Sequence, residues 1–289
     1  MEIIVANSGG FCFGVNRSIK LAEELLDEND NIYTYGPLIH NEIVTKDLEE
    51  RGGRILTSLE SQIDKTVPVL IRSHGISRKE ENDIKNRIEF LYDATCPFVK
   101  KIHSIVENAS KEGFSIIIIG DKNHPEVQGI FGWSTSNTII ISNEEDLQLV
   151  KTLPQNPIKI VVQTTFNKEK FINIVEKIRK IRYDIEVSET ICDATNTRQK
   201  EALELSQKCD VMLVIGDKKS SNTCKLFDIC HTYCQNSHHI QSYKDLEREW
   251  FVGAKVVGIT AGASTPKKII KEVQNYVRIN FWTNAWGKF

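Results

Sequence analysis

The chain has 289 residues, of which 40% are hydrophobic and 26% charged, with 16 glycines and 7 prolines; this composition excludes disordered, collagen-like and low-complexity classes. A formal charge of −2 gives no global basic field and argues against a dedicated nucleic-acid binder, so any bound anion must be held by a local site. No apolar run reaches the roughly 18 residues of a membrane span, and residues 1–7 lack the basic region and apolar core of a signal peptide, so a soluble, cytoplasmic protein is expected.

A first apolar strand is predicted over 3–6, and Gly10-Phe11-Cys12-Phe13-Gly14 then opens a helix over 15–26. The polar loop Gly36-Pro37-Leu38-Ile39-His40-Asn41 follows, and a strand over 67–71 runs into Ser73-His74-Gly75. Asp93-Ala94-Thr95-Cys96-Pro97 opens a second helix, with Pro in its first turn and Phe98, Ile102, Ile105, Val106 and Ala109 along one stripe. The strand over 116–119 leads into Gly120-Asp121-Lys122-Asn123-His124-Pro125-Glu126, further strands cover 138–141 and 158–162, and the latter ends in Gln163-Thr164-Thr165. A helical stripe of Phe171, Ile174, Val175 and Ile178 precedes Cys192-Asp193-Ala194-Thr195, which opens a third cysteine-led helix. The strand over 211–215 ends in Gly216-Asp217-Lys218-Lys219-Ser220-Ser221-Asn222, and the strand over 255–259 in Thr260-Ala261-Gly262-Ala263-Ser264, before a helix with Ile269, Ile270, Val273, Tyr276 and Val277 on one face. Strand and helix alternate throughout, which points to α/β architecture with parallel sheets and ligands beyond the carboxyl ends of the strands.

The seven cysteines are too few and too odd in number for a secreted disulfide framework. A free cysteine is usually a small core residue, and Cys209, Cys224, Cys230 and Cys234 fit that reading, with Phe227, Cys230 and Cys234 on one helical stripe. A zinc site from Cys230, Cys234 and His238 or His239 is the alternative, weakened by the lack of any C-x2-C pair. Cys12, Cys96 and Cys192, separated by 84 and 96 positions, differ: each lies in a polar turn directly before a helix, where negative charge is stabilised and a metal-binding thiolate is favoured. Three similar α/β units each offering one thiol could hold one metal centre, and three distant sulfur ligands suit an iron–sulfur cluster with one iron free to act as a Lewis acid.

The polar loops place small hydroxyls, Asn and His beside helix amino ends, which is how a protein binds phosphate without a basic surface. Ordinary helix capping is the alternative for Ser220, Ser221 and Ser264 taken singly. Glu126, behind His124-Pro125, is either a carboxylate complementing the helix dipole or a proton donor in a dry pocket. No P-loop or dinucleotide-binding glycine motif occurs.

Taken together, Gly10–Val15, Gly36–Asn41, Ser73–Gly75, Asp93–Pro97, His124–Val127, Gln163–Thr165, Ile191–Thr195, Ser220–Asn222 and Thr260–Ser264 resemble the IspH/LytB family of 4-hydroxy-3-methylbut-2-enyl diphosphate reductases, over 9–266. The resemblance implies three pseudo-equivalent α/β units in a trefoil around a central cluster, divided as 14–96, 97–193 and 194–289 with the strand of 1–13. It implies one 4Fe–4S cluster on Cys12, Cys96 and Cys192, and diphosphate binding by His40, His74, His124, Ser220, Ser221, Asn222 and Ser264. Thr164 would position the substrate hydroxyl and Glu126 would deliver protons in a two-electron reductive dehydroxylation driven by ferredoxin or flavodoxin. Ser73 stands where many relatives carry Ala, and Cys224, Cys230 and Cys234 lie outside the family pattern. The chain end at Phe289 is expected to leave no room for the long C-terminal extension of some relatives, and 283–289 carry no assignment. A rival is an aconitase-like hydro-lyase, which also uses a three-cysteine cluster but transfers no net electrons.

Overall fold

The computed structural model describes residues 1–58 and 64–281, so the unassigned segment 283–289 lies outside the described residues. Its strands are β1 (Glu2–Val5), β2 (Ile32–Tyr35), β3 (Gly53–Leu56), β4 (Val69–Ile71), β5 (Leu91–Asp93), β6 (Ser115–Ile119), β7 (Thr138–Ile141), β8 (Ile158–Val162), β9 (Ile185–Val187), β10 (Val211–Ile215), β11 (Ser237–Ile240) and β12 (Val256–Ala261). The α-helices are α1 (Phe13–Glu28), α2 (Glu42–Glu50), α3 (Arg78–Lys85), α4 (Pro97–Lys111), α5 (Pro125–Phe131), α6 (Lys168–Arg179), α7 (Asp193–Ser206), α8 (Ser221–Tyr233) and α9 (Lys267–Phe281).

The strands form three four-stranded sheets, ordered β3-β2-β4-β5, β7-β6-β8-β9 and β1-β12-β10-β11. Every pairing is parallel. One topology recurs: the first strand in sequence lies between the second and the third, and the fourth flanks the third. In the last sheet the fourth position is filled by β1, which pairs with β12 in the register Glu2↔Val256 to Val5↔Ile259.

The chain divides into two compact units, one of Met1–Cys12, His40–Glu42 and Asp193–Phe289, the other of Phe13–Ile39 and Ile43–Cys192. In the first, the alternation of β10 decides the layers. Val211, Leu213 and Ile215 face Ile269, Ile270, Val273 and Val277 of α9, whereas Met212 and Val214 face Ala202, Leu205, Leu226 and Cys230 of α7 and α8. In the second, Ile117 and Ile119 pack on Phe171, Ile174, Val175 and Ile178 of α6, and Ile116 and Ile118 on α4 and α5 through Ile102, Val106, Val127 and Ile130. Burial on both faces is why these strands read as unbroken Ile/Val runs.

The α4 stripe departs from the sequence expectation at its start. Phe98 is 47% exposed, while Val99, Ile102, His103, Val106 and Ala109 are buried. Pro97 begins the helix, and the buried face then falls at three-to-four spacing from Val99 rather than from its neighbour.

Candidate functional site

In sheets of this order the carboxyl-end loops of the first and third strands leave in opposite directions, and the gap between them is where α/β proteins hold ligands. The polar loops fall at this gap in each sheet. His40, His124 and Ser220 each lie five residues past the end of a first strand (Tyr35 to His40, Ile119 to His124, Ile215 to Ser220). Ser73, Thr164 and Ala263 each lie two residues past the end of a third strand, after Ile71, Val162 and Ala261. The three early cysteines follow the fourth strands and immediately precede α1, α4 and α7. Their backbone ties are equivalent as well: Cys96 N–H donates to the Ser73 carbonyl at 2.9 Å, Cys192 N–H to Thr164 at 3.1 Å and Cys12 N–H to Ala263 at 3.1 Å.

The unit containing sheets β3-β2-β4-β5 and β7-β6-β8-β9 brings His74, His124, Glu126, Thr164, Cys96 and Cys192 to these loop ends. His124 caps α5: its Nδ1 accepts from the Glu126 N–H at 3.1 Å, so the proton of the neutral ring sits on Nε2. The His74 and His124 rings meet edge to face, centroids 5.4 Å apart. Glu126 is 2% exposed. Thr164 donates to both of its oxygens, the backbone N–H to Oε1 at 2.7 Å and the hydroxyl to Oε2 at 2.8 Å. Burial pushes the Glu126 carboxyl above the usual carboxylate range, and the two Thr164 bonds pull the other way. Burial thus favours the protonated form of this carboxyl more than exposure would, which suits a group that gives up a proton in place.

Cys96 lies against α1 at Gly14, where a Cβ would stand 2.5 Å from Cys96 Sγ. Bare glycine makes room for the sulfur. Ser73 has a structural role: its hydroxyl donates to the Leu38 carbonyl at 2.8 Å and joins the loops after β2 and β4.

The other unit brings together Cys12, His40, Ser220, Ser221, Asn222 and Ser264. Ser220 caps α8 by accepting from Thr223 N–H. The Ser264 hydroxyl donates to the His40 carbonyl at 2.9 Å and lies 3.4 Å from Ser220 Oγ, and the Asn41 side-chain amide donates to the Ser264 carbonyl at 2.8 Å. Asn222 is 3% exposed, and both polar atoms of its amide find no hydrogen-bond partner among the described residues. A buried amide without partners is costly and marks a place for a polar ligand. Within this unit the amino end of α8, the His40 imidazole, the serine hydroxyls and this amide suit a phosphate-bearing molecule.

The remaining cysteines divide from these. Cys230 is buried in the core under α7 and α8 and Cys209 packs, partly buried, against it, and burial pushes both thiols up to about 12. Cys224 is half-buried and donates to the Lys218 carbonyl. The zinc reading finds its residues engaged separately. Cys230 Sγ faces Ala202 O and Cys234 Sγ faces Asn236 O, while His238 stacks on Trp250 and His239 lies by Phe227.

Sequence reasoning passed over His103. It lies on the buried face of α4, stacked on Trp133 with centroids 5.0 Å apart, and a Cβ on Gly75 would stand 2.7 Å from its Cε1. Burial pushes its imidazole down to about 4. The neutral ring thus backs the turn that carries His74, while Trp133 Nε1–H donates to the Ile76 carbonyl at 2.9 Å. The available signal was a histidine inside an apolar stripe, which composition alone reads as packing.

A family model described as LytB protein matches residues 3–278. A protein of Nitratiruptor sp. named 4-hydroxy-3-methylbut-2-enyl diphosphate reductase is 44% identical over 277 residues, covering 94% of this chain and 97% of that one. A protein of the same name from Caldanaerobacter subterraneus is 43% identical over 278 residues, covering 94% and 95%. Among solved structures, the E-1-hydroxy-2-methyl-but-2-enyl-4-diphosphate reductase of Plasmodium falciparum superposes with a TM-score of 0.91 at 31% identity, over 97% of this chain and 89% of that one. A structure described as (E)-4-hydroxy-3-methyl-but-2-enyl diphosphate reductase, the terminal enzyme of the non-mevalonate pathway, gives 0.70 at 39% identity, over 96% of this chain and 99% of that one.

Proposed function

The chain belongs to the LytB family, and on that premise we propose that it reduces (E)-4-hydroxy-3-methylbut-2-enyl diphosphate to isopentenyl and dimethylallyl diphosphates, the last step of the non-mevalonate route. The reaction consumes two electrons and two protons and releases the allylic hydroxyl as water. The observation that carries the reading is the recurrence of Cys12, Cys96 and Cys192 at one topological position in three like sheets, each amide tied to the loop after the third strand. These thiols would hold one 4Fe–4S cluster, and the room left by Gly14 beside Cys96 Sγ suits a sulfur that carries more than its own hydrogen. When bound, such a cluster supplies electrons one at a time and a Lewis-acidic iron.

The chain's own residues account for the rest. His40, His74, His124, Ser220, Ser221, Asn222 and Ser264 would hold the diphosphate by charge-assisted hydrogen bonds, with His124 donating from Nε2 because Nδ1 is committed to the helix cap. Thr164 would orient the substrate hydroxyl and Glu126 would protonate it as it leaves, the burial that raises its carboxyl favouring the protonated form. A ferredoxin or flavodoxin would supply the electrons, and the chain would act in the cytoplasm. The three units would divide at 14–96, 97–193 and 194–289 with 1–13; sheet membership supports this division. No helix among the described residues is long and apolar enough to cross a membrane.

Anaerobic purification, iron and sulfide analysis and turnover with and without a chemical reductant test the proposal. Iron with sulfide, and product only when reductant is present, is expected. Turnover without reductant would favour an aconitase-like hydro-lyase, and full iron occupancy in the Cys96→Ser protein would sink the three-thiol site.

A further inference from the structure

The helices that begin behind Cys12 and Cys192 share a feature that helix formation does not require. Each carries an arginine, Arg17 five and Arg198 six positions past its cysteine, and each guanidinium donates to the backbone of a segment that ends in another of the three cysteines, Arg17 at two carbonyls and Arg198 at one, with a second bond from Arg198 to the Ala194 carbonyl of its own helix at 3.0 Å. Arg17, on α1, reaches the Asp93 carbonyl at 3.2 Å and the Thr95 carbonyl at 3.4 Å, and its neighbour Ser18 donates to the Ala94 carbonyl at 2.9 Å. Asp93, Ala94 and Thr95 are the three residues that lead to Cys96, and the carbonyl of each is held.

On α7, Arg198 reaches the Gly10 carbonyl at 2.7 Å, two residues before Cys12. One turn on, the Glu201 carboxylate accepts from the Asn7 N–H at 2.6 Å, from the Ser8 N–H at 2.9 Å and from the Ser8 hydroxyl. Burial works against ionisation of Glu201, yet the bonds from Ser8 and Asn7 and the charge of Arg198 hold its carboxyl below the usual range.

Packing alone does not explain these residues. The amino-terminal half of α7 buries Thr195, Arg198 and Gln199 where α4, α6 and α9 bury Ile, Val and Phe. Arg198 is 5% exposed, and a buried guanidinium is usually no more stabilising than an apolar side chain of its size. What an apolar side chain could not do is fix a carbonyl at a chosen place. Gly10 needs such fixing, because its φ of 110° is open to glycine in many alternatives.

We propose that Arg17 and Arg198, the latter with Glu201, are positioning residues that link the three thiols in series: the helix led by Cys12 holds the loop of Cys96, and the helix led by Cys192 holds the loop of Cys12. The inference rests on the three-thiol site proposed above. It implies that disturbing one ligand loop loosens the next, so that the thiols are presented as a set.

The test uses the iron-loaded full chain, with release of iron to an excess of chelator followed by absorbance under anaerobic conditions, and hydrogen exchange of the iron-free chain. Arg198→Met and Arg17→Met keep length and packing but remove the donors. Each is expected to release iron about tenfold faster than wild type, the factor equivalent to about 1.4 kcal/mol. Arg198→Lys should fall between Met and wild type. In the iron-free chain, exchange should rise at 7–12 in Arg198→Met and at 94–96 in Arg17→Met, with the sheets unchanged. Glu201→Gln, which keeps one acceptor, should speed exchange at Asn7 or Ser8 and serves if Arg198→Met does not fold. Cys12→Ser is the control: if it keeps its iron, the site reading fails. If it loses iron while both Arg→Met proteins release iron within about twofold of wild type, the linkage is wrong. Faster release accompanied by faster exchange throughout the sheets, with Lys no better than Met, would also overturn it, because that is general destabilisation.

Discussion

Thr164 holds the Glu126 carboxylate at both oxygens, one through its backbone N–H and one through its hydroxyl. The pair spans the gap between the loops after β6 and β8, and its two bonds differ in what mutation can remove. The backbone bond survives any substitution at 164, whereas the hydroxyl bond is lost in valine.

This difference sets a pH prediction. The hydroxyl bond lowers a carboxyl that burial has raised, so Thr164→Val should raise it further. A rate that needs protonated Glu126 falls as pH rises through that raised value, and the falling limb of the kcat profile should therefore move to higher pH in Thr164→Val and return in Thr164→Ser. An unmoved limb would separate Glu126 from the proton transfer.

The same carboxyl affects stability. Because its folded value lies above the unfolded one of about 4.3, the stability tied to its protonation is fully present at low pH and lost as pH rises through the folded value. Glu126→Gln removes that loss. Thermal unfolding should show the variant gaining on wild type as pH rises, while turnover falls by roughly the 10²–10⁴ of a positioned acid. Turnover within about threefold of wild type would remove Glu126 from the mechanism.

Gly14→Ala separates helix stability from the thiol site. Alanine is favoured over glycine within a helix, by up to about 0.5–1 kcal/mol in its interior, and Gly14 stands in the first turn of α1, but the alanine Cβ would stand 2.5 Å from Cys96 Sγ. Iron and sulfide content should fall although α1 is intrinsically favoured; unchanged content would mean that Cys96 has room to move.

Asn222→Leu should trade affinity for stability. The buried amide without partners costs about 1–3 kcal/mol in the ligand-free chain, so leucine should raise Tm while calorimetry shows weaker binding of inorganic diphosphate. Unchanged affinity would exclude Asn222 from the anion site.

Thiol reactivity should follow burial. With Cys209 and Cys230 raised to about 12, iodoacetamide at neutral pH should label neither in the folded iron-free chain, while the half-buried Cys12, Cys96 and Cys192 are labelled. Mass spectrometry of the peptides reads this directly.

The elements whose side chains are buried on every side, and the loops that carry chemistry, were legible from residue order alone. The runs at 116–119, 158–162 and 211–215 became β6, β8 and β10, and the stripe of Phe171, Ile174, Val175 and Ile178 became the buried face of α6, because period and apolarity are local properties of a chain. The cysteine-led helix starts were legible for the same reason. Tertiary structure decided the short strands β2, β3, β5, β9 and β11, whose Ile-Tyr-Thr-Tyr, Gly-Arg-Ile-Leu, Leu-Tyr-Asp, Ile-Glu-Val and Ser-His-His-Ile segments carry no periodic signal. A parallel strand of three or four residues exists only through hydrogen bonds to a neighbour distant in sequence. The same holds for Thr164 on Glu126, His103 behind Gly75 and Arg198 on Gly10: each depends on backbone geometry that brings together residues dozens to nearly two hundred positions apart, which no local pattern encodes.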